Sequence, residues 1–258
     1  MITGLQRFSD FFQNHQSQYV LIGGVAAMQW LEAAGLNPRA TKDLDIVLLI
    51  DAVDDAFLSR FWAFVKDGGY DNLNKSTGDR VYYRFTNPAI VDFPATLELF
   101  SRAPDGMVLW DDPRIIPIPA GEDASSLSAI LMDNDYYTIV REGVRIESGL
   151  PLLSPEGLIL LKAKAWLDLS TRRRAGEKID ERNIKKHRND VFKLALLLTA
   201  ETASAIPALV HDDLQEFLHH FPAESSEWIS IRQASGLPSA LIVPSDILDA
   251  LRSHFRPQ

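Results

Sequence analysis

Two aspartates separated by one leucine, Asp43-Leu44-Asp45, open the otherwise apolar run DLDIVLLI. In a strand, residues two apart leave the same face, so this spacing aims both carboxylates to one side. Like charges side by side against a core are unfavourable unless a cation bridges them, and hard oxygen donors select Mg2+. Paired ions of this kind can activate an attacking oxygen and stabilise a leaving pyrophosphate. A solvated strand end that happens to carry two acids is the competing account, although aspartate is disfavoured in strands. Upstream, Gly23-Gly24 follows the apolar run Tyr19-Val20-Leu21-Ile22 and precedes a helix-compatible stretch. Glycines at such a turn let the backbone approach a ligand. The helix N-terminus behind them offers free N–H groups and a positive dipole end. That arrangement suits phosphate, and it also serves as a tight turn and nothing more.

Periodicity supplies the elements around these residues. Leu5, Phe8, Phe11 and Phe12 give residues 2–14 helical spacing. Residues 19–22 read as a buried strand, and Val25–Ala34 as a helix stopped by Gly35. A loop over 36–42 leads to a strand over 43–50, then a helix over 52–67 with Phe57, Phe61, Phe64 and Val65 inside. Strands follow at 80–85, 96–100, 114–118, 136–141 and 144–147, the last two as a hairpin through Glu142-Gly143. Asn134-Asp135 and Pro104-Asp105-Gly106 supply turn chemistry. From Ser154 the pattern is helical: Ser154 as N-cap with Pro155 at the first position, a second long helix over 180–200, and two or three shorter ones. The chain thus divides near residue 150 into a mixed α/β half and an all-α half.

Composition bounds the function. The 258 residues carry 26 Lys+Arg against 35 Asp+Glu, a net charge of −9, and 46% are hydrophobic. This excludes disorder over most of the chain and collagen-like repeats. Without cysteine there is no disulfide, thiolate nucleophile or cysteine-held metal, and the six histidines have no ligand spacing. No apolar run reaches the ~20 residues that span a bilayer, and the N-terminus lacks the pattern of a signal peptide. The expectation is a cytoplasmic protein with no membrane partner. Between 172 and 188, eight Lys/Arg stand against three acids. Such a segment can attract nucleotide or RNA phosphates, or form a solvated inter-helix face. Aromatics are not interleaved with it, so a dedicated nucleic-acid platform is not expected.

Together, the glycine turn and Asp43-Leu44-Asp45 resemble the nucleotidyltransferase superfamily of the DNA polymerase β type. Its signature joins a Gly-Gly or Gly-Ser turn to Asp-x-Asp on the next strand and a third acid on a later one. Arg39-Ala40-Thr41-Lys42-Asp43-Leu44-Asp45 is similar to the Arg-x-Thr-x-Asp-Leu-Asp form of the AbiEii-like group. That group includes toxins of abortive-infection toxin–antitoxin systems. The resemblance covers roughly residues 18–200.

The resemblance implies an α+β fold. Residues 1–150 would form an N-terminal nucleotidyltransferase-like mixed β-sheet flanked by helices, and residues 151–258 a C-terminal helical domain closing the cleft. It implies transfer of a nucleoside monophosphate from a nucleoside triphosphate to a hydroxyl, with Mg2+, two ions, as cofactor. Asp43, Asp45 and Glu98 would hold the metal. Glu98, in Thr96-Leu97-Glu98-Leu99-Phe100, alternates with apolar residues, whereas the fallback, Asp92, is followed by strand-breaking Pro94. Gly23, Gly24, Arg39, Thr41 and Lys162 would bind the nucleotide. Gly24 stands where the family usually has serine, so backbone amides would hold the phosphates without that hydroxyl. Lys162 shares a helix face with Leu158 and Trp166, with a buried stem and an amine placed to neutralise phosphate charge. Lys164 reads as a surface residue pairing with Asp168.

The segment Lys185–Phe192 resembles the group's Arg/Lys-x-Asp helix. Asp190 would orient Lys162 or accept a proton from the acceptor; its plain alternative is a surface pair with Lys186. His187 reads as a packed helix residue. Implied partners are the triphosphate, an RNA (for instance a tRNA end) or small-molecule acceptor, and an antitoxin protein. The alternative is a catalytically silent member that binds a nucleotide or a protein.

Overall fold

A computed structural model describes residues 3–72, 82–105, 115–118, 127–199, 203–238 and 241–258. The chain forms two compact units, Met1–Gln29 with Arg39–Leu153, and Trp30–Pro38 with Ser154–Gln258. The fold is mixed α/β, with a mixed eight-stranded sheet in the first unit.

In the first unit, α1 (Leu5–Phe11) precedes β1 (Tyr19–Ile22), and α2 (Gly23–Ala33) starts at the glycine turn itself. Next come β2 (Asp43–Leu48), α3 (Asp55–Gly68), β3 (Arg84–Thr86), β4 (Thr96–Ser101), β5 (Ile115–Ile118) and β6 (Leu127–Leu131). Then α4 (Asn134–Glu142), β7 (Val144–Glu147) and β8 (Leu150–Leu153) complete it. The order across the sheet is β5-β6-β4-β2-β1-β8-β7, with β3 beside β4. β1 and β2 are antiparallel, while β2 and β4 run parallel.

Alternation sorts the central strands into two faces. Tyr19, Leu21, Leu44, Ile46, Leu97 and Leu99 share one face and are fully buried. Phe8 and Phe12 and the α3 residues Phe57, Phe61 and Phe64 complete this core with Tyr19; the Phe8 and Tyr19 rings meet edge-on at 5.4 Å. The expected inner stripe of α3 is the observed one, and Asp54 caps the helix by accepting from Phe57 N–H at 2.8 Å. The opposite face carries Asp43, Asp45 and Glu98.

Two local expectations are corrected. Residues 136–141 are helix, not strand. Asp133 caps α4 by accepting from Asp135 N–H at 2.8 Å, and Tyr136, Tyr137 and Val140 bury one helical face. The short window of aromatic and β-branched residues imitated a strand. The hairpin instead joins β7 to β8 through Ser148-Gly149, whose φ values of 51° and 76° are those of a tight hairpin turn. The strand expected at 80–85 lies partly outside the described residues and is otherwise shortened to β3; Gly106 and Arg114 also lie outside them.

In the second unit, α5 (Pro155–Arg174) opens with Ser154 accepting from Gly157 N–H at 3.3 Å. α6 (Glu181–Leu194) ends earlier than expected, in a 3-10 turn at Ala195–Leu197. β9 (Ser204–Ile206), α7 (Ala208–His219), α8 (Glu227–Ser235), α9 (Pro244–His254) and β10 (Phe255–Pro257) follow. β9 and β10 pair in parallel, a contact too short to read from periodicity. Phe192 packs against Phe217 and Trp228 at ring distances of 5.5 and 4.5 Å. Trp30–Pro38, assigned above to the first half, belongs to this unit. The buried Lys193 amine donates to Asn37 O and, at 2.8 Å, to Ser235 O.

Candidate functional site

The site is built on the face of β2 and β4 that carries the acids. Antiparallel register sets Ile22 opposite Asp45, and parallel register sets Asp45 opposite Glu98. Asp43, two residues before Asp45, is opposite Thr96 on the same face. All three acids are half-buried. Among the described residues no three His, Asp or Glu side chains are already gathered as a ligand set. Glu98 is paired elsewhere: its carboxylate is 3.4 Å from Arg84 Nε, with the two side chains 24% and 55% exposed. The fallback, Asp92, is exposed and sits 3.9 Å from Arg7.

The glycine turn meets these acids directly. Gly23 has φ of +66°, a conformation that glycine adopts without penalty. A Cβ there would overlap Oδ2 of Asp45 and come within 2.8 Å of its Cγ. The Asp45 carboxylate therefore occupies the space that a side chain at 23 would fill. At Gly24 a Cβ would stand 2.7 Å from Thr41 Oγ1 and 3.3 Å from an Arg39 Nη. Thr41 and Arg39 thus converge on the bare backbone of Gly24. As the first residues of α2, both glycines present N–H groups that have no intrahelical acceptor. No acidic side chain lies in that first turn.

The donor set suits a hard divalent cation. Asp43, Asp45 and Glu98 offer only carboxylate oxygens from one face of two neighbouring strands. Glu98 would exchange Arg84 for the ion, and a half-exposed pair at 3.4 Å is worth only ~0–1 kcal/mol.

Lys162 and Asp190 lie in the helical unit and meet there. Nζ stands 2.7 Å from Oδ2, with the side chains 4% and 7% exposed. Asp190 therefore pairs with Lys162 in the interior and is not the surface charge of the plain alternative. Lys164 reaches beyond Asp168, at 3.5 Å, to Asp213 of α7 at 3.2 Å, and ties two helices. Neighbouring Lys193 has its pKa pushed down by burial, against the opposing influence of Asp190. Among the described residues no helix is long and apolar enough to cross a membrane. Comparison with models of known families, with curated proteins and with solved structures finds no match.

Proposed function

We propose that the chain is a Mg2+-dependent nucleotidyltransferase that moves a nucleoside monophosphate from a nucleoside triphosphate to a hydroxyl acceptor. The observation that carries the reading is the seating of Asp45, against the bare Cα of Gly23 on one side and in register with Glu98 on the other. The turn at the start of α2 and the Asp45 carboxylate thus adjoin each other, an arrangement that would suit phosphate on the helix N–H groups and a cation on the acid.

The acceptor hydroxyl oxygen attacks the α-phosphorus, the bond from that phosphorus to the pyrophosphate oxygen breaks, and the hydroxyl proton passes to a carboxylate. Asp43, Asp45 and Glu98 would hold Mg2+, which supplies Lewis-acid charge neutralisation when bound. The Gly23 and Gly24 amides would seat phosphate oxygens, with Thr41 Oγ1 and the Arg39 guanidinium beside them in place of the serine that position 24 lacks. Such chemistry depends mainly on positioning and charge neutralisation. Lys162 and Asp190 form a buried pair of their own within the helical unit. An RNA end or a small molecule is the acceptor class, and an antitoxin protein is the partner if the activity is toxic.

The alternative, a silent member that binds a nucleotide or protein, draws on Glu98 being held by Arg84. The two readings separate when the protein is incubated with each α-labelled triphosphate, Mg2+, total RNA and a panel of hydroxyl compounds. Label transfer that disappears in Asp45→Ala supports the enzyme; nucleotide binding without pyrophosphate release supports the silent binder.

A further inference from the structure

The helical unit contains a cavity of about 580 Å3, within the size range of small-molecule sites. Its wall combines two chemistries that lie far apart in sequence. α5 contributes Trp166, Arg173 and Arg174, and α6 contributes Lys185 and Arg188. Phe221, from the turn after α7, adds a second aromatic ring. The half-exposed Trp166 is fixed from behind, meeting Phe217 at 5.4 Å, Phe221 at 5.1 Å and His220 at 5.0 Å between ring centres. The basic segment thus acquires through the fold the aromatics that its own sequence lacks.

The two acids in the wall are already engaged. Glu181 lies 2.8 Å from Lys185 and 3.3 Å from Arg173, and Glu227 pairs with Arg188. Arg174 has no carboxylate partner among the described residues. Its contacts are Ser170 O at 3.4 Å and Thr171 Oγ1 at 3.3 Å. The wall therefore keeps an excess of positive charge. Arg188 is a built component rather than a loose surface cation. Its side chain is 4% exposed, and its guanidinium also donates to Asn189 Oδ1 at 2.9 Å and Ser230 Oγ at 3.0 Å. Burial pushes its pKa down although Glu227 is adjacent.

We propose that this cavity binds a phosphorylated nucleoside, its base against Trp166, which the buried Phe221 backs, and its phosphate on Arg173, Arg174 and Lys185. Aromatic faces accept any base, and the planar guanidinium matches phosphate oxygens in pairs. The volume is that of a site for one small molecule, and the ligand proposed is accordingly a single nucleotide. The inference is independent of the transfer reaction, because every residue it uses lies in the helical unit and none is Asp43, Asp45 or Glu98.

The test is calorimetric titration of adenosine 5′-monophosphate into the full chain carrying Asp43→Asn and Asp45→Asn, in EDTA, so that the acidic face holds no metal, with the Arg174 and Trp166 variants assigning the binding to the helical unit. One saturable site per chain is expected, with adenosine and ribose 5-phosphate each binding roughly tenfold or more weakly. Arg174→Glu, a change at an exposed position, should weaken binding by about the same factor. Trp166→Leu should also weaken it, while Trp166→Phe, which keeps a ring in the aromatic cluster, should restore most of it. The proposal is overturned if the monophosphate does not saturate, or if Arg174→Glu and Trp166→Leu both leave its affinity unchanged. A five-nucleotide RNA that binds tenfold more tightly than the monophosphate would overturn the single-nucleotide assignment.

Discussion

Replacing Gly23 by alanine tests the seating of Asp45 in energetic terms. The backbone contribution comes first: φ of +66° costs an L-residue about 1–2 kcal/mol. The steric contribution is separate. The new Cβ would overlap Oδ2 of Asp45 and lie 2.8 Å from Cγ, and overpacking of this kind costs about 1–3 kcal/mol. The reduced freedom of the unfolded chain offsets less than about 1 kcal/mol. Gly23→Ala should therefore destabilise the sheet by roughly 2–4 kcal/mol. In an Asp45→Ala background the nearest remaining side-chain atom is Cβ of residue 45 at 3.1 Å, a tight contact that a shift of a few tenths of an ångström relieves. The penalty should then fall to the backbone part, about 1–2 kcal/mol. Native-state hydrogen exchange of the β1 and β2 amides in all four proteins measures the cycle within the first unit. A coupling of about 1–3 kcal/mol is expected. Equal penalties in both backgrounds, within ~0.5 kcal/mol, would show that the carboxylate does not occupy the space above the glycine.

Three further outcomes follow from the same contacts. The Tyr19 hydroxyl is buried without a hydrogen-bond partner among the described residues, and burial raises its pKa above the ordinary 10.0. The folded state then holds its proton where the unfolded state releases it, so this contribution is intact below pH 10 and is lost as pH rises from there. Tyr19→Phe should leave stability at pH 7 unchanged or raise it by up to ~1–2 kcal/mol, and should flatten the decline above pH 10 in urea titrations. Lys162→Met or Asp190→Asn alone should destabilise the helical unit by about 3–5 kcal/mol, because each breaks the buried ion pair. Combining Lys162→Met with Asp190→Leu should recover most of that loss in thermal melts. Arg84→Ala should change stability by less than ~1 kcal/mol and should tighten Mn2+ binding by removing a cation that competes for Glu98, as read by metal titration.

Much of the acidic face was legible in the sequence because the strand period leaves little freedom. Asp43 and Asp45 had to share a side, and Glu98 between Leu97 and Leu99 had to oppose the core once its neighbours were buried. The glycine turn was also readable, since strand, Gly-Gly and helix are contiguous. What periodicity could not supply was pairing at a distance. Arg84 reaching Glu98 depends on strand order, as does the register that seats Asp45 over Gly23. The shifted hairpin shows the limit in short windows, where Tyr136, Tyr137 and Val140 satisfy a helical face as well as a strand. The cavity of the helical unit was hidden for the same reason, because Trp166 and Phe221 reach the basic segment only through packing.

Carboxylates from two strands would grip a divalent ion beside a glycine bend, and Mn2+ titration followed by electron paramagnetic resonance tests that directly. The wild-type chain with a nucleoside triphosphate should bind Mn2+ more tightly than the triphosphate alone does. Asp45→Asn should abolish that excess affinity, and Glu98→Gln should reduce it. Identical Mn2+ binding by the wild type and an Asp43→Asn, Asp45→Asn, Glu98→Gln triple variant would contradict the account.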